Sequence, residues 1–217
     1  TTQINSSYNF TSGTSFAAPH VSGAAALLLQ KNPELQNYEI KSLLVTTVQP
    51  VPNAYGQEFS LHESGSGRLD IANAYNANLI ISPTNFVVNL SPNQLQIEKQ
   101  LELKLIQGSL EKIGVKFEGP EFIEFTHNLK NNNLQIGLSV VGEEYGEHEG
   151  KILINHEKIR YIIPILIHYT EGSISAYQEN EKLFFEINHP DKWSFAKITV
   201  TNSKNGNTHT TTATPDK

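Results

Sequence analysis

Apolar positions along the chain change their spacing once, near residue 81. Before that point they recur at helical intervals or in unbroken runs, and beyond it they alternate. Residues 15–30, SFAAPHVSGAAALLLQ, are apolar nearly all round, which predicts a helix enclosed by protein on every side. Ala17, Ala18, Gly23 and Ala24 to Ala26 allow neighbours to approach it closely. Asn32-Pro33-Glu34 then has the composition of a helix start, with a cap, a proline at the first helical position and an early acid. Leu35, Tyr38, Leu43 and Leu44 follow at helical spacing, so a second helix is predicted to about Val48. Gly65 and Gly67 precede Asp70, which is placed to cap a short third helix over 71–79.

Beyond Ser82 the period is two. Leu101, Leu103 and Leu105 alternate with Glu102 and Lys104, and the same rhythm recurs at Ile113, Val115 and Phe117. It returns at Leu134, Ile136, Leu138 and Val140, with a turn at 131–133 between the two runs. Strands over 151–155 and 159–169 flank a turn at 155–158, and Pro164 puts the second of them at an edge or a bulge. Roughly seven strands in under about 100 residues predict an antiparallel β-sandwich. Its core is expected to include Leu101, Leu103, Leu105, Val115, Phe117, Ile136 and Leu138. From about residue 171 come Leu183, Phe185 and Ile187 in alternation, then two β-branched runs flanking Asn205-Gly206, a dipeptide favoured in type I′ hairpins. Three or four strands are marginal as a closed unit. The expected organisation is therefore residues 1–80, helical; 82–170, a sandwich; and 171–217, a partial second β module or a tail.

Composition narrows the function. Sixteen Lys and Arg against 22 Asp and Glu give a net charge of −6, which argues against a nucleic-acid binder, because such a protein clusters cations to neutralise phosphates. The longest mostly apolar stretch, Phe16 to Leu29, is interrupted by Pro19, His20 and Ser22 and falls short of the ~20 residues of a bilayer span. Cysteine is absent, which excludes thiol catalysis and thiolate metal sites. Methionine is absent too, and with Thr1 at the start this gives the expectation of a processed product or an excised fragment.

One segment stands apart: Gly13-Thr14-Ser15-Phe16-Ala17-Ala18-Pro19-His20-Val21-Ser22-Gly23. A serine at a helix start sits where unpaired N–H groups and about half a positive charge point outward, a favourable place for charge developing on a substrate oxygen. The glycine before it allows close approach of another chain. The string resembles the nucleophile motif of subtilisin-like serine proteases, the subtilase family, over about residues 1–80. The resemblance implies a mixed fold: the C-terminal helical part of an α/β subtilisin-like domain, followed by a fibronectin- or immunoglobulin-like sandwich of the kind that often follows secreted subtilase domains.

What the resemblance implies for chemistry is a serine-type endopeptidase acting on proteins or peptides, secreted or at the cell surface, with Ser15 as nucleophile and no cofactor or metal. Subtilases place an Asp, a His and then the Ser in chain order. Residues 1–14 contain neither Asp nor His. The segment is therefore expected to be inert alone. His20, five residues along the helix from Ser15, lies off its direction and reads as a packed, hydrogen-bonded histidine rather than the base, and no motif draws His62, His127, His148, His156, His168, His189 or His209 to Ser15. Glu143, Glu144, Glu147, His148 and Glu149 read as a solvated acidic loop rather than a Ca²⁺ site. The rival reading is a non-enzymatic adhesion or scaffold protein with sandwich repeats and a vestigial protease segment.

Overall fold

In the computed structural model, which describes residues 12–110, 113–142, 144–180, 182–188 and 193–215, four helices precede twelve strands. Helix α1 (Thr14–Lys31) buries Ala24 and Leu28, one turn apart, against α2 and α4. Phe16, Val21, Leu27 and Leu29 remain about two-fifths exposed or more. The helix expected over 15–30 thus forms, but the described residues cover only one stripe of it. Lys31 fastens its last turn by donating to the Tyr75 carbonyl, with Nζ 4.6 Å from the centre of that ring.

Helix α2 (Asn37–Thr46) starts later than the Asn32-Pro33 signal predicts. Asn32 instead ends α1, its N–H donating to the Leu28 carbonyl, and Pro33-Glu34 form a turn. The true start is set by Glu39, whose carboxylate accepts the Gln36 N–H at 2.9 Å. Burial works to raise the Glu39 pKa, but the Lys104 ammonium at 2.5 Å and the Gln36 N–H outweigh it and hold the carboxyl below its ordinary value. A one-turn helix α3 (Leu61–Ser64) follows, then α4 (Ile71–Asn76), capped as expected by Asp70, which accepts the Asn73 N–H at 2.8 Å. The last helix stops short of 79 because Leu79 is already in a strand.

That strand, β1 (Leu79–Ser82), is the edge of a four-stranded antiparallel sheet with β3 (Gln96–Leu105), β6 (Asn133–Val140) and β5 (Ile123–Lys130), in the order β1-β3-β6-β5. The second sheet has the order β2-β8-β7-β4, with β2 (Phe86–Leu90), β8 (Ile159–Tyr169), β7 (Gly146–His156) and β4 (Ile113–Glu118). Their inner faces share one apolar core. Leu101, Leu103, Ile136 and Leu138 are buried in it, while Leu105, Val115 and Phe117 are half-buried at its rim.

The pairing qualifies the sequence reading at three places. The sandwich is not wholly antiparallel: β2 leaves the first sheet within a few residues of β1 and joins the opposite one beside β8, running parallel to it. Pro164 lies inside β8, yet β2 pairs only from Ile165 onward, so on that side β8 is an edge up to the proline and no ladder bond is lost. β5 escaped the periodicity because it is itself an edge strand, with Thr126, His127 and Asn128 all exposed.

Two ribbons complete the described chain: β9 (Ser173–Glu179) with β10 (Lys182–Asn188), and β11 (Ala196–Thr201) with β12 (Thr208–Ala213). The second is the expected hairpin, but its turn is not type I′. Gly206 has φ +72° while Asn205 is not left-handed. A wider loop over 202–207 is closed instead by Gly206 N–H on the Asn202 carbonyl and Asn202 N–H on the Asn207 carbonyl, both 2.8 Å. The Asn202 and Asn205 side chains accept the Lys204 and Asn207 N–H groups and hold that loop open.

The helices and the first sheet are joined through β1. Ser42 Oγ on α2 donates to the Ile81 carbonyl at 2.8 Å and accepts the Ile81 N–H at 2.9 Å. The Tyr161 hydroxyl on β8 accepts the N–H groups of Asn78 and Leu79, both at 3.1 Å. Both side chains, Ser42 and Tyr161, are buried, and burial raises the Tyr161 pKa, keeping the phenol neutral. Ser42→Ala and Tyr161→Phe each leave buried backbone groups unpaired, and each is expected to cost about 1–3 kcal/mol in urea unfolding of the chain. Losses below ~0.5 kcal/mol in both would mean that these pins do not hold β1.

Candidate active site

Gly13 precedes α1 with φ +140° and ψ 152°, backbone that side-chain-bearing residues rarely adopt. Its carbonyl accepts from Phe16 N–H at 3.0 Å and from Ala17 N–H at 3.1 Å, which closes the first turn. The N–H groups of Thr14 and Ser15 have no partner among the described residues and lie at the positive end of an 18-residue helix. The Ser15 side chain is exposed, and among the described residues its hydroxyl makes no hydrogen bond. Pro19 lacks the N–H that would bond the Ser15 carbonyl four residues back, so this carbonyl loses its helical partner. The arrangement presents a hydroxyl and an N–H donor together on an exposed turn.

Nothing described here pairs a base with that hydroxyl. His20 Nδ1 sits 2.7 Å from the Phe16 carbonyl on its own helix, as its offset from Ser15 predicts, though the ring is exposed rather than packed. His156 is buried and bonded to the Ser109 carbonyl, His148 to the Glu144 carbonyl, and His127 stacks on Phe125. His209 lies on β12, and His189 falls outside the described residues. Asp70 is committed elsewhere: the Asn73 N–H and the Gln49 amide hold its carboxyl below the ordinary value against the opposing effect of burial.

The expected acidic loop is not a loop. Glu147 and Glu149 belong to β7, and Glu143 lies outside the described residues. Alternate residues on the outer face of β7 reach the segment that leads from α2 to α4. Glu147 meets His62 Nε2 at 2.6 Å, Glu149 accepts the Leu61 N–H at 2.8 and 2.9 Å, Lys151 pairs with Glu58, and Leu153 packs on Val48 and Ile162. The period-two spacing of Glu147, Glu149 and Lys151 is the sequence signal for this face. A cleft of about 380 Å³ opens beside it, lined by Gln49, Glu58, Lys151, Asn155 and Arg160 among others and by no residue of Gly13–Gly23. Among the described residues no His, Asp or Glu cluster has the geometry of a metal site, and no helix is long and apolar enough to cross a membrane.

Gly67 shapes the return of the chain from this face. At φ +129°, a Cβ there would fall 2.5 Å from the Gln49 carbonyl oxygen. Without it, Gln49 and Arg68 exchange backbone hydrogen bonds at 2.8 and 2.9 Å, which places Asp70 at the head of α4.

Comparison with known proteins agrees with the motif. Residues 1–76 match the sequence profile of the Subtilase family. Subtilisin-like protease SBT1.6 of Arabidopsis thaliana is 38% identical over 86 residues, covering 36% of this chain and 11% of that protein. Minor extracellular protease Vpr of Bacillus subtilis (strain 168) is 22% identical over 160 residues, covering 68% of this chain and 20% of that protein. The chain thus spans only a small part of the length of these relatives. Among solved structures, an endo-fucoidan hydrolase from glycoside hydrolase family 107 aligns with 44% of this chain and 14% of its own at 12% identity and a TM-score of 0.35, too low for a shared fold to be assigned.

The Gly13 backbone yields a direct test. Gly13→Ala forces a side chain into a conformation that costs on the order of 1–3 kcal/mol. The first turn of α1 is expected to open, and hydrogen exchange at the Ala17 amide to speed up about tenfold or more, while the amides of β3 and β6 stay protected. Unchanged exchange at Ala17 would show that the turn does not depend on this glycine.

Proposed function

Residues 1–76 are a subtilase segment, and from it we propose that Ser15 is the nucleophile of a serine-type endopeptidase whose triad Asp and His lie outside these 217 residues. The observation that carries the reading is the Gly13-Thr14-Ser15 turn, which sets the exposed serine hydroxyl beside a helix-start N–H, neither of them bonded to a partner among the described residues. Ser15 Oγ attacks the scissile peptide carbonyl and passes its proton to the His, which returns it to the leaving amine. The Ser15 N–H donates to the oxyanion, where the helix dipole adds to it. Chain order supports an upstream base and acid, since no Asp or His occurs in residues 1–14.

The exposed apolar flank of α1, with Phe16, Val21, Leu27 and Leu29, is then the face that packs into the rest of the catalytic domain. The substrate class is protein or peptide, and no cofactor enters the reaction. A secreted or surface location is in keeping with a relative named as an extracellular protease. We assign residues 1–80 to the catalytic domain, 82–170 to a β-sandwich module and 171–217 to a partial second module.

A serine depends on a neighbouring base, and loss of the base from a triad of this kind lowers kcat about a million-fold. A fluorophosphonate probe is expected to label a longer protein that carries the triad Asp and His, to fail on its Ser15→Ala variant, and to leave the 217-residue chain unlabelled. Ser15-dependent labelling of the 217-residue chain, or none on the folded longer protein, would overturn the proposal; the second outcome favours a non-enzymatic surface scaffold.

A further inference from the structure

We propose that His62, Glu147 and His168 form a proton-operated clasp, closed in mildly acidic solution and loosened in alkaline, that ties the subtilase segment to the outer face of the β-sandwich. The inference stands apart from the proposed catalysis. Glu147 lies on β7 with its two carboxylate oxygens facing different elements. Oε1 is 2.6 Å from His62 Nε2 on α3, and Oε2 is 3.0 Å from Nε2 of His168, its cross-strand neighbour on β8. One anion thus bridges a helix of the subtilase segment and a hairpin of the sandwich.

The charges around it decide the sign. Glu149, two residues along the same face, is fixed beside His62 by the Leu61 N–H. With His62 neutral, the carboxylates of Glu147 and Glu149 lie side by side without a charge on the imidazole that meets them. With His62 protonated, its charge favours both. Farther along the face, Lys151 and Glu58 neutralise each other. Glu63 on α3 is turned to the Ser60 N–H and hydroxyl. His148 points to the opposite face of β7, against Phe122, with its Nε2 on the Glu144 carbonyl.

The hydrogen bond that His62 donates to Glu147, and then the charge of that carboxylate, raise the His62 pKa, and the His62 contact in turn holds Glu147 below its ordinary value. A group whose pKa is raised on folding contributes fully below its unfolded value, about 6.5 for histidine, and loses that contribution as pH rises through the folded value. At the acid end the clasp persists until Glu147 takes up a proton below the ordinary glutamate range. Between these limits it is closed. Neutral imidazole can still donate from Nε2, so alkaline solution removes the charge and weakens the contact without abolishing it. The pair is largely solvated, which keeps the effect small.

The test uses the 217-residue chain, with histidine NMR titrations from about pH 5 to about pH 9 and hydrogen exchange at the Leu61 amide, corrected for intrinsic base catalysis. The His62 midpoint is expected to lie above ~6.5 in the native chain and to fall back towards it in Glu147→Gln. Protection of the Leu61 amide is expected to drop about threefold across the His62 titration and to lose that pH dependence in His62→Gln. The Leu103 amide, bonded to the Asn132 carbonyl within the sandwich, reports that each variant is folded. A native His62 midpoint at or below ~6.5 overturns the clasp, and this reading needs no variant. So does a midpoint unmoved in folded Glu147→Gln, or a pH dependence at Leu61 that survives in His62→Gln. None of these readouts passes through peptide cleavage, so the result is separate from that for Ser15.

Discussion

A strand at the edge of a sheet presents a row of unpaired N–H and C=O groups, and burying that edge under other elements is possible only if those groups find partners. β1 is such a strand. Its inner side pairs with β3, and its outer side meets α2, where one serine hydroxyl serves both the N–H and the carbonyl of Ile81. From the opposite sheet the Tyr161 hydroxyl accepts the N–H groups of Asn78, just before the strand, and of Leu79, its first residue. Because these two side chains satisfy the edge, α2 can lie on it with Leu43 and Leu44 in the core, and α1 and α4 can pack on α2. The core therefore runs without a break from Leu28 to Ile167, across the point where the sequence changes period.

The same logic extends to the outer face of the second sheet. Tyr161, Ile163, Ile165, Ile167 and Tyr169 point inward from β8, and all are essentially inaccessible. The opposite face of the β7–β8 hairpin would ordinarily be polar and wet. Here the chain between α2 and α4 lies along it, held by a gradient of contacts from apolar at Leu153 to ionic at Glu147. Helical segment and sandwich are thus joined twice, once through the edge of one sheet and once through the face of the other.

This double attachment bears on Ser15 through rigidity rather than chemistry. The turn that presents the hydroxyl is local, made by Gly13 and the first bonds of α1. Its direction in space is set by where α1 lies, and α1 rests on α2 and α4 through Ala24, Leu28 and the Lys31–Tyr75 contact. The proposed nucleophile therefore rests on helices that the sandwich anchors.

Features that depend on nearest neighbours were legible from residue order alone. The Gly13–Gly23 string, the Asp70 cap, the alternating core of Leu101, Leu103, Ile136 and Leu138, and the hairpin ending at Thr208–Ala213 all follow from side-chain type at fixed spacing. Features that depend on which surfaces meet were not. Asn32-Pro33 has every local mark of a helix start, yet Glu39, drawn to Lys104 on β3, moved the start to Asn37. A parallel partner for β2, the edge position of β5 and the wide turn before β12 arise from chain crossing and side-chain bonds that no period encodes. The carboxylates of 147 and 149 looked like solvated charge because their partners, His62 and the Leu61 amide, are more than eighty residues away along the chain. A sequence fixes what each residue can bond; only the folded chain decides which of those bonds is within reach.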